Sequence, residues 1–350
     1  MKDPFPIAPI PALSRAVQPI ADMLHLPTLP LHIHEVLGAA LFYTFIHMVV
    51  SPWISMKFWP DRYPINSKGK RMSWDSHVVS MVQSCLINVL ALYVHFYDEE
   101  RWEFNWEQRV WGYTGACAMI QSLAAGYFVW DLIITALHFE TFGIGVLMHA
   151  ISALTVYSFG YRPVFNYYAT NFILYELSTP FLNIHWFFDK LGMTGTKAQL
   201  INGICLISVF FSCRLIWGNW QSALVYRDIW RAMRTSEIPV NSTIICGDFD
   251  GTKVAINPSP IPIWLVFAYF ASNLTLNMLN VFWLFKMISA VKKRFTPAKE
   301  DPAAIKEKPA SASPKTGVTS GLQQTADALR KRNLPAEVLP VIDDDLGDMT

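Results

Sequence analysis

Several side chains that could do chemistry lie inside stretches otherwise too apolar to hold them. Asp131, Glu176 and Arg214 are ionisable, His149 is an imidazole, and the segment ILYELSTPFLNIHW at 173–186 carries Glu176, Thr179 and Asn183 at i, i+3 and i+7. At about 100° per residue that spacing predicts one helical face for all three. A charge in hydrocarbon costs on the order of 3 kcal/mol unless it is paired or wetted. The chemistry these residues point to is therefore an ion pair, Glu176 with Arg214, or a polar cavity. A neutral imidazole at His149 is a competent proton acceptor near pH 7. Other apolar stretches carry comparable stripes: His77, Ser80, Ser84 and Asn88; Tyr127, Asp131 and His138; His149 and Ser152; and Asn273, Asn277 and Asn280. The plainer reading of the Ser and Asn members is interhelical hydrogen bonding, worth about 0.6–2 kcal/mol each. For Glu176 and Arg214 it is a buried pair that fixes helix register.

The elements that must position these groups follow from composition. The 350 residues are 52% hydrophobic and 16% charged, against about 25% charged in soluble domains. The net charge of +1 gives no electrostatic basis for binding nucleic acid. Cys85, Cys117, Cys205, Cys213 and Cys246 have no CxxC spacing, so they predict neither a disulfide framework nor a metal site. Seven apolar stretches reach the ~20 residues needed to cross a bilayer: 31–53, 78–97, 113–137, 142–161, 164–188, 200–217 and 263–290. The proline series Pro4, Pro6, Pro9, Pro11, Pro19 and Pro27 breaks any continuous apolar core of a cleavable signal peptide, so the first span is expected to serve as its own insertion signal. Beyond Arg294 the sequence turns to Pro, Lys, Ser, Ala and Asp, a composition that cannot bury enough apolar surface to order itself. The expected fold is all-α: a polytopic bundle of about seven transmembrane helices around a polar-lined lipid cavity. The expected layout is a Pro-rich segment over 1–30, a first transmembrane helix over 31–55, a six-helix membrane domain over 72–294 and a disordered cytosolic tail over 295–350.

Basic residues in short loops set the expected orientation. Lys57, Arg62, Lys68, Lys70 and Arg71 follow the first span, acidic residues at 98–107 follow the second, and Lys292, Lys293 and Arg294 follow the last. Seven spans with a lumenal N-terminus put both basic regions in the cytosol. Arg227, Arg231 and Arg234, in what reads as a lumenal loop, dissent; the same loop holds the sequon Asn241-Ser242-Thr243, usable for glycosylation only in the lumen.

Four runs carry a family resemblance: Trp74-Asp-Ser-His77-Val-Val-Ser80, Gly126-Tyr127-Phe-Val-Trp-Asp131, Glu176-Leu-Ser-Thr-Pro-Phe-Leu-Asn183-Ile-His-Trp186, and Asn202-Gly203 followed by Phe210-Phe-Ser-Cys-Arg214. Together they resemble the TLC-domain family, which includes the ceramide synthases. The Glu-Leu-Ser-Thr-Pro-Phe block is similar to the TLC-domain-containing branch rather than to the synthases. The resemblance implies a helix bundle around a lipid-accessible cavity, residence in the endoplasmic reticulum or a related membrane, and an acyl chain or sphingoid base as partner. It also exposes departures. Where the synthases carry adjacent histidines this chain has Met148-His149, their aspartate pair has no counterpart, His77 stands where Arg is usual and Gln83 where His is usual.

Acyl transfer needs a base and a group to steady the oxyanion. His149 could be that base, with Asp131 or Glu176 orienting it, but no second imidazole and no nucleophile motif accompany it. The expectation is thus a lipid-binding protein of membrane lipid homeostasis, without a cofactor. The residues expected to line the cavity are His77, Ser80, Ser84, Tyr127, Asp131, Ser152, Glu176, Thr179, Asn183, Arg214 and Asn277. Two alternatives stand beside it. One is a ceramide-synthase-like N-acyltransferase using His149, with acyl-CoA as substrate; the other is a secondary transporter, suggested by midplane charges and by Pro180 in a span.

Overall fold

A computed structural model describes residues 1–162, 164–234, 244–249, 252–256 and 261–295. The helices run α1 Pro11–Leu24, α2 Leu29–Phe45, α3 Ser51–Phe58, α4 Lys68–Tyr97, α5 Glu99–Trp102, α6 Trp106–Trp111, α7 Gly115–Leu137, α8 Phe139–Phe159, α9 Asn166–Phe172, α10 Thr179–Lys190, α11 Lys197–Phe210, α12 Gly218–Arg234 and α13 Ile263–Phe295. A short antiparallel pair, β1 Ile244–Phe249 and β2 Thr252–Ile256, lies between α12 and α13. One compact unit extends to Leu284 and a second begins at Phe285. The predicted tail, and Asn241 with its sequon, lie outside the described residues.

Six helical stretches are long and apolar enough to span a membrane: Leu29–Phe58, Lys68–Tyr97, Trp106–Leu137, Phe139–Phe159, Lys197–Arg234 and Ile263–Val291. The protein is a multi-pass helical membrane bundle. Large apolar side chains face outward, including Leu41, Val89, Ile133 and Phe267, as they must where the surrounding solvent is hydrocarbon. Buried side chains of α4 and α7 include Asp75, His77, Ser80, Gln83, Gln121, Ser122 and Asp131. The bundle is thus polar inside and apolar outside. Of the six spans α7 belongs to the most enclosed, packing on α2 and α8.

Prolines explain two of the irregular turns. Pro52 has no N–H for the carbonyl four residues back, and the first span crosses that point through a π-helical turn, Ile46–Val50. The expected span 164–188 resolves into α9, a 3-10 segment Ile173–Ser178, and α10 with Pro180 in its first turn. The missing Pro180 amide removes the i+4 donor of the Glu176 carbonyl, which accepts instead from the Thr179 amide in the 3-10 turn and from Asn88 Nδ2 of α4 at 2.8 Å. The segment therefore does not present Glu176, Thr179 and Asn183 as one α-helical stripe. A second difference concerns Arg227, Arg231 and Arg234. They lie not in a loop but on α12, which continues the expected span 200–217 through a π-helical turn, Phe211–Trp217. The combined stretch of 38 residues is about 57 Å long at 1.5 Å per residue, so α12 extends past the hydrocarbon.

Candidate functional site: a charged cavity inside the bundle

An enclosed cavity of about 80 Å³ opens beside the 3-10 segment, and His149, Tyr157, Tyr175, Glu176, Arg214 and Asn280 supply most of its polar groups. Phe128, Phe165, Phe172 and Tyr269 add aromatic wall. Arg214 is its organiser. Its Nε donates to the Tyr175 carbonyl and to Ser178 Oγ, both at 3.1 Å; Nη1 donates to Asn280 Oδ1 at 3.2 Å and Nη2 to Thr179 Oγ1 at 3.3 Å. A guanidinium has five N–H donors, so each terminal nitrogen keeps one beyond these bonds.

Glu176 Oε1 lies 3.7 Å from Arg214 Nη2, close enough for charge pairing but beyond hydrogen-bond distance. The partnership expected from sequence is present, yet neutral acceptors hold the guanidinium and the carboxylate balances its charge. Glu176 also interacts electrostatically with Asp131, Tyr127 and Tyr157, and Tyr127 with Ser80 through a side-chain hydrogen bond. Glu176 and Arg214 line the cavity, whereas Asp131, expected there, is buried in α7 without lining it. Gly218 makes room for the wall: a Cβ there would collide with the ring and hydroxyl of Tyr175.

The remaining expected residues distribute among three places. His77 Nδ1 meets Asn183 Oδ1 at 2.7 Å, Asn183 Nδ2 donates to Ser80 Oγ at 3.1 Å, and the His77 ring stacks on Trp186 at 4.0 Å. This triplet ties α4 to α10 on a side separate from the cavity wall. Asn277 donates to Asn273 Oδ1 at 2.8 Å along α13. Asn273, not Asn277, lines the cavity. Ser84 bonds its own helix at the Met81 carbonyl, and Ser152 is buried in α8 without lining the cavity. The Trp74-Asp75 motif is architectural: Asp75 accepts from Ser51 Oγ at 2.6 Å and from the Tyr63 hydroxyl, while Trp74 Nε1 donates to Ser55 Oγ. Burial, and then the Asp75 carboxylate, pushes the Tyr63 phenol well above its ordinary value. Tyr157, Tyr175 and Gln121 were not expected as wall residues. None of them falls on the polar stripes at helical spacing, and Tyr175 sits in the 3-10 segment, where that spacing does not apply.

His149 bears on catalysis. Its ring lies between Phe128, with centroids 6.2 Å apart, and Trp283, at 5.6 Å. Its Nδ1 is buried with no hydrogen-bond partner. Among the described residues no carboxylate orients it, and Asp131 spends its contact on Thr135 Oγ1 at 3.5 Å.

Residues 73–289 match the TLC domain. The chain belongs to the TLC-domain family. It is 40% identical to an uncharacterised TLC domain-containing protein of Schizosaccharomyces pombe, over 83% of this chain and 89% of that one. It is 29% identical to the topoisomerase I damage affected protein 4 of Saccharomyces cerevisiae, over 76% and 87%, and 28% identical to TLC domain-containing protein 4-B of Danio rerio, over 75% and 90%. Each alignment is longer than the matched domain itself, so this TLC protein shares more than its domain with them.

Proposed function

We propose that this TLC-domain protein binds the polar end of a membrane lipid, an acyl chain or a sphingoid base, and contributes to membrane lipid homeostasis without catalysing acyl transfer. The observation that carries the reading is Arg214, a buried guanidinium with a donor left on each terminal nitrogen, at the edge of an aromatic-walled cavity inside a membrane bundle. A volume of about 80 Å³ is small beside the ~300–1,000 Å³ of pockets that enclose whole ligands. It suits a headgroup and its first carbons. An open apolar groove of about 460 Å³, lined by Leu92, Phe96, Leu174, Leu177, Val209 and Trp217, runs on the other side of the same 3-10 segment and suits a chain. Ser208, Ser212 and Cys213 complete one wall of it.

The isolated setting of His149 favours binding over catalysis, because a general base works through an oriented imidazole. Residence in the endoplasmic reticulum, with the N-terminus lumenal and the C-terminus cytosolic, belongs to the same proposal and rests on the basic residues after the first and last spans. Mass spectrometry of lipid co-purifying with the protein tests the reading. A defined lipid class is expected with the native protein and depletion of it with Arg214→Met. Incubation with acyl-CoA and a sphingoid base is expected to yield no amide above a heat-inactivated control. Time-dependent amide formation that disappears in His149→Ala would instead establish the acyltransferase reading.

A further inference from the structure

Away from the cavity, where the N-terminal segment meets the start of the first span, three potential metal ligands converge. Asp3, His32 and Glu35 each offer an atom within 4.8 Å of the others. Asp3 Oδ2 lies 3.5 Å, and Glu35 Oε1 2.8 Å, from His32 Nδ1. His32 and Glu35 are fully buried and the Asp3 side chain retains 9% of its exposure. Asp3 Oδ2 and Glu35 Oε2 are buried and make no hydrogen bond of good geometry, although the two carboxyl groups contact each other and Glu35 also contacts Ser122. Burying carboxyl groups with so few donors is costly, and here two stand beside one imidazole.

The surroundings are built around that convergence. His32 Nε2 bonds the Tyr113 hydroxyl, so Nδ1 is the nitrogen turned toward both carboxyl groups. An imidazole whose far nitrogen is held by a partner and whose near nitrogen faces carboxylates is the arrangement that orients histidine ligands in metal sites. Asp3 is held in turn: its Oδ1 accepts from the Phe5 amide at 2.9 Å, and the Phe5 ring meets His34 edge-on at 5.5 Å. Gly115, at the start of α7, lets the Asp3 backbone approach, since a Cβ there would strike it. Carboxyl oxygens within 4.8 Å of each other repel when charged, and a cation between them would relieve that repulsion.

We infer that Asp3, His32 and Glu35 form a binding site for a divalent transition-metal ion that staples the N-terminal segment to the first span. One nitrogen and two carboxylate ligands suit Zn²⁺ or a similar borderline ion better than Mg²⁺, which takes oxygen ligands and keeps its waters. The site is independent of the lipid cavity, so its failure would leave the lipid proposal standing.

The test uses the full chain in detergent, with any affinity tag removed, stripped by a chelator and titrated with Zn²⁺ alone. Bound metal is counted by inductively coupled plasma mass spectrometry, and melting temperature is followed in parallel. One saturating equivalent and a raised melting temperature are expected. Asp3→Asn should weaken binding at least about 10-fold, as loss of a shell partner does in metal sites, and Asp22→Asn, an exposed carboxylate on α1, should change nothing. Glu35→Gln should act like Asp3→Asn. Because Glu35 is buried in a span and its variant can fail to fold, Asp3→Asn, on the segment before α1, carries the decision. X-ray absorption of the loaded protein should give nitrogen and oxygen neighbours at about 2.0–2.2 Å. Absence of saturable binding, or equal binding by wild type and Asp3→Asn, would overturn the inference and leave a pair of carboxyl groups sharing a proton.

Discussion

At the scale of single residues, Arg214 shows how a buried charge is made tolerable. Sequence reasoning pairs it with Glu176 because no other opposite charge shares its depth. The structure keeps that pairing at 3.7 Å and adds four neutral acceptors that no spacing rule announces. The stability consequence is asymmetric. Arg214→Met leaves Glu176 beside Asp131 without a compensating cation, and removing one partner of a buried pair typically costs about 3–5 kcal/mol. Glu176→Gln should cost less, because the guanidinium keeps its acceptors. The double variant should cost less than the sum of the singles in detergent melts, and strict additivity would show that the two groups do not interact. Legibility at this scale was uneven. Ionisable groups in apolar runs announce themselves, since nothing but a partner or a cavity permits them. Ser80, Ser84, Ser152 and Asn277 fall on the same kind of stripe and turn out to bond within or between helices or to lie buried off the cavity, because a hydroxyl or amide in a span has several inexpensive uses. Asp3 was invisible as a candidate ligand, lying outside every apolar run and thirty residues from its partners.

Among the elements, the segment 173–190 is the most informative. A proline within an apolar run was legible as a break, but the loss of α geometry before it was not, because that depends on where the freed carbonyls find donors. Asn88 is such a donor for Glu176. Asn88→Leu removes one of the two donors to that carbonyl, the Thr179 amide being the other, and should therefore destabilise the protein by roughly 0.5–1.5 kcal/mol. In a Pro180→Ala background, where an amide is restored at position 180, the same change should cost clearly less. Equal costs in both backgrounds, read from denaturant melts, would contradict this account of the 3-10 turn. A second element-level lock joins α6, α9 and α12. Asp228 is fully buried and accepts from Arg109 Nε at 2.7 Å, from Arg109 Nη2 at 3.1 Å and from the Tyr168 hydroxyl at 2.6 Å. It also answers the dissenting arginines, with Arg227 at 3.7 Å and Arg231 at 3.9 Å. Asp228→Asn should lower the melting temperature sharply through loss of the Arg109 pair, at about 3–5 kcal/mol, whereas Arg231→Gln, on a half-exposed side chain, should shift it by under about 1 kcal/mol.

For the whole molecule, the apolar composition and the span lengths made the membrane bundle legible, because hydrocarbon thickness fixes how many residues a span needs. The count near seven and the six long apolar helices differ by the broken segment alone, which periodicity reads as continuous. Orientation is a separate claim. With the proposed lumenal loop, Asn241→Gln should remove an endoglycosidase-sensitive mass increment from protein made in a eukaryotic host; labelling of that loop in intact cells by a cytosol-restricted reagent would reverse the topology. The enclosed cavity was legible only as a likelihood of polar stripes meeting, since which stripes meet depends on crossing angles and on the 3-10 and π-helical turns.

The central claim is that a lipid's polar end sits at Arg214, and photo-crosslinking tests it most directly. A sphingoid base or fatty acid carrying a diazirine on the carbons next to its headgroup, and an alkyne for capture, is added to membranes containing the full chain. After irradiation the labelled peptides are mapped. The account predicts labelling of the cavity wall at Phe128, Tyr157 or Phe172, competed by unmodified lipid and reduced several-fold in Arg214→Met. Labelling confined to outward-facing residues such as Leu41, Val89 and Ile133, or unchanged in Arg214→Met, would contradict it.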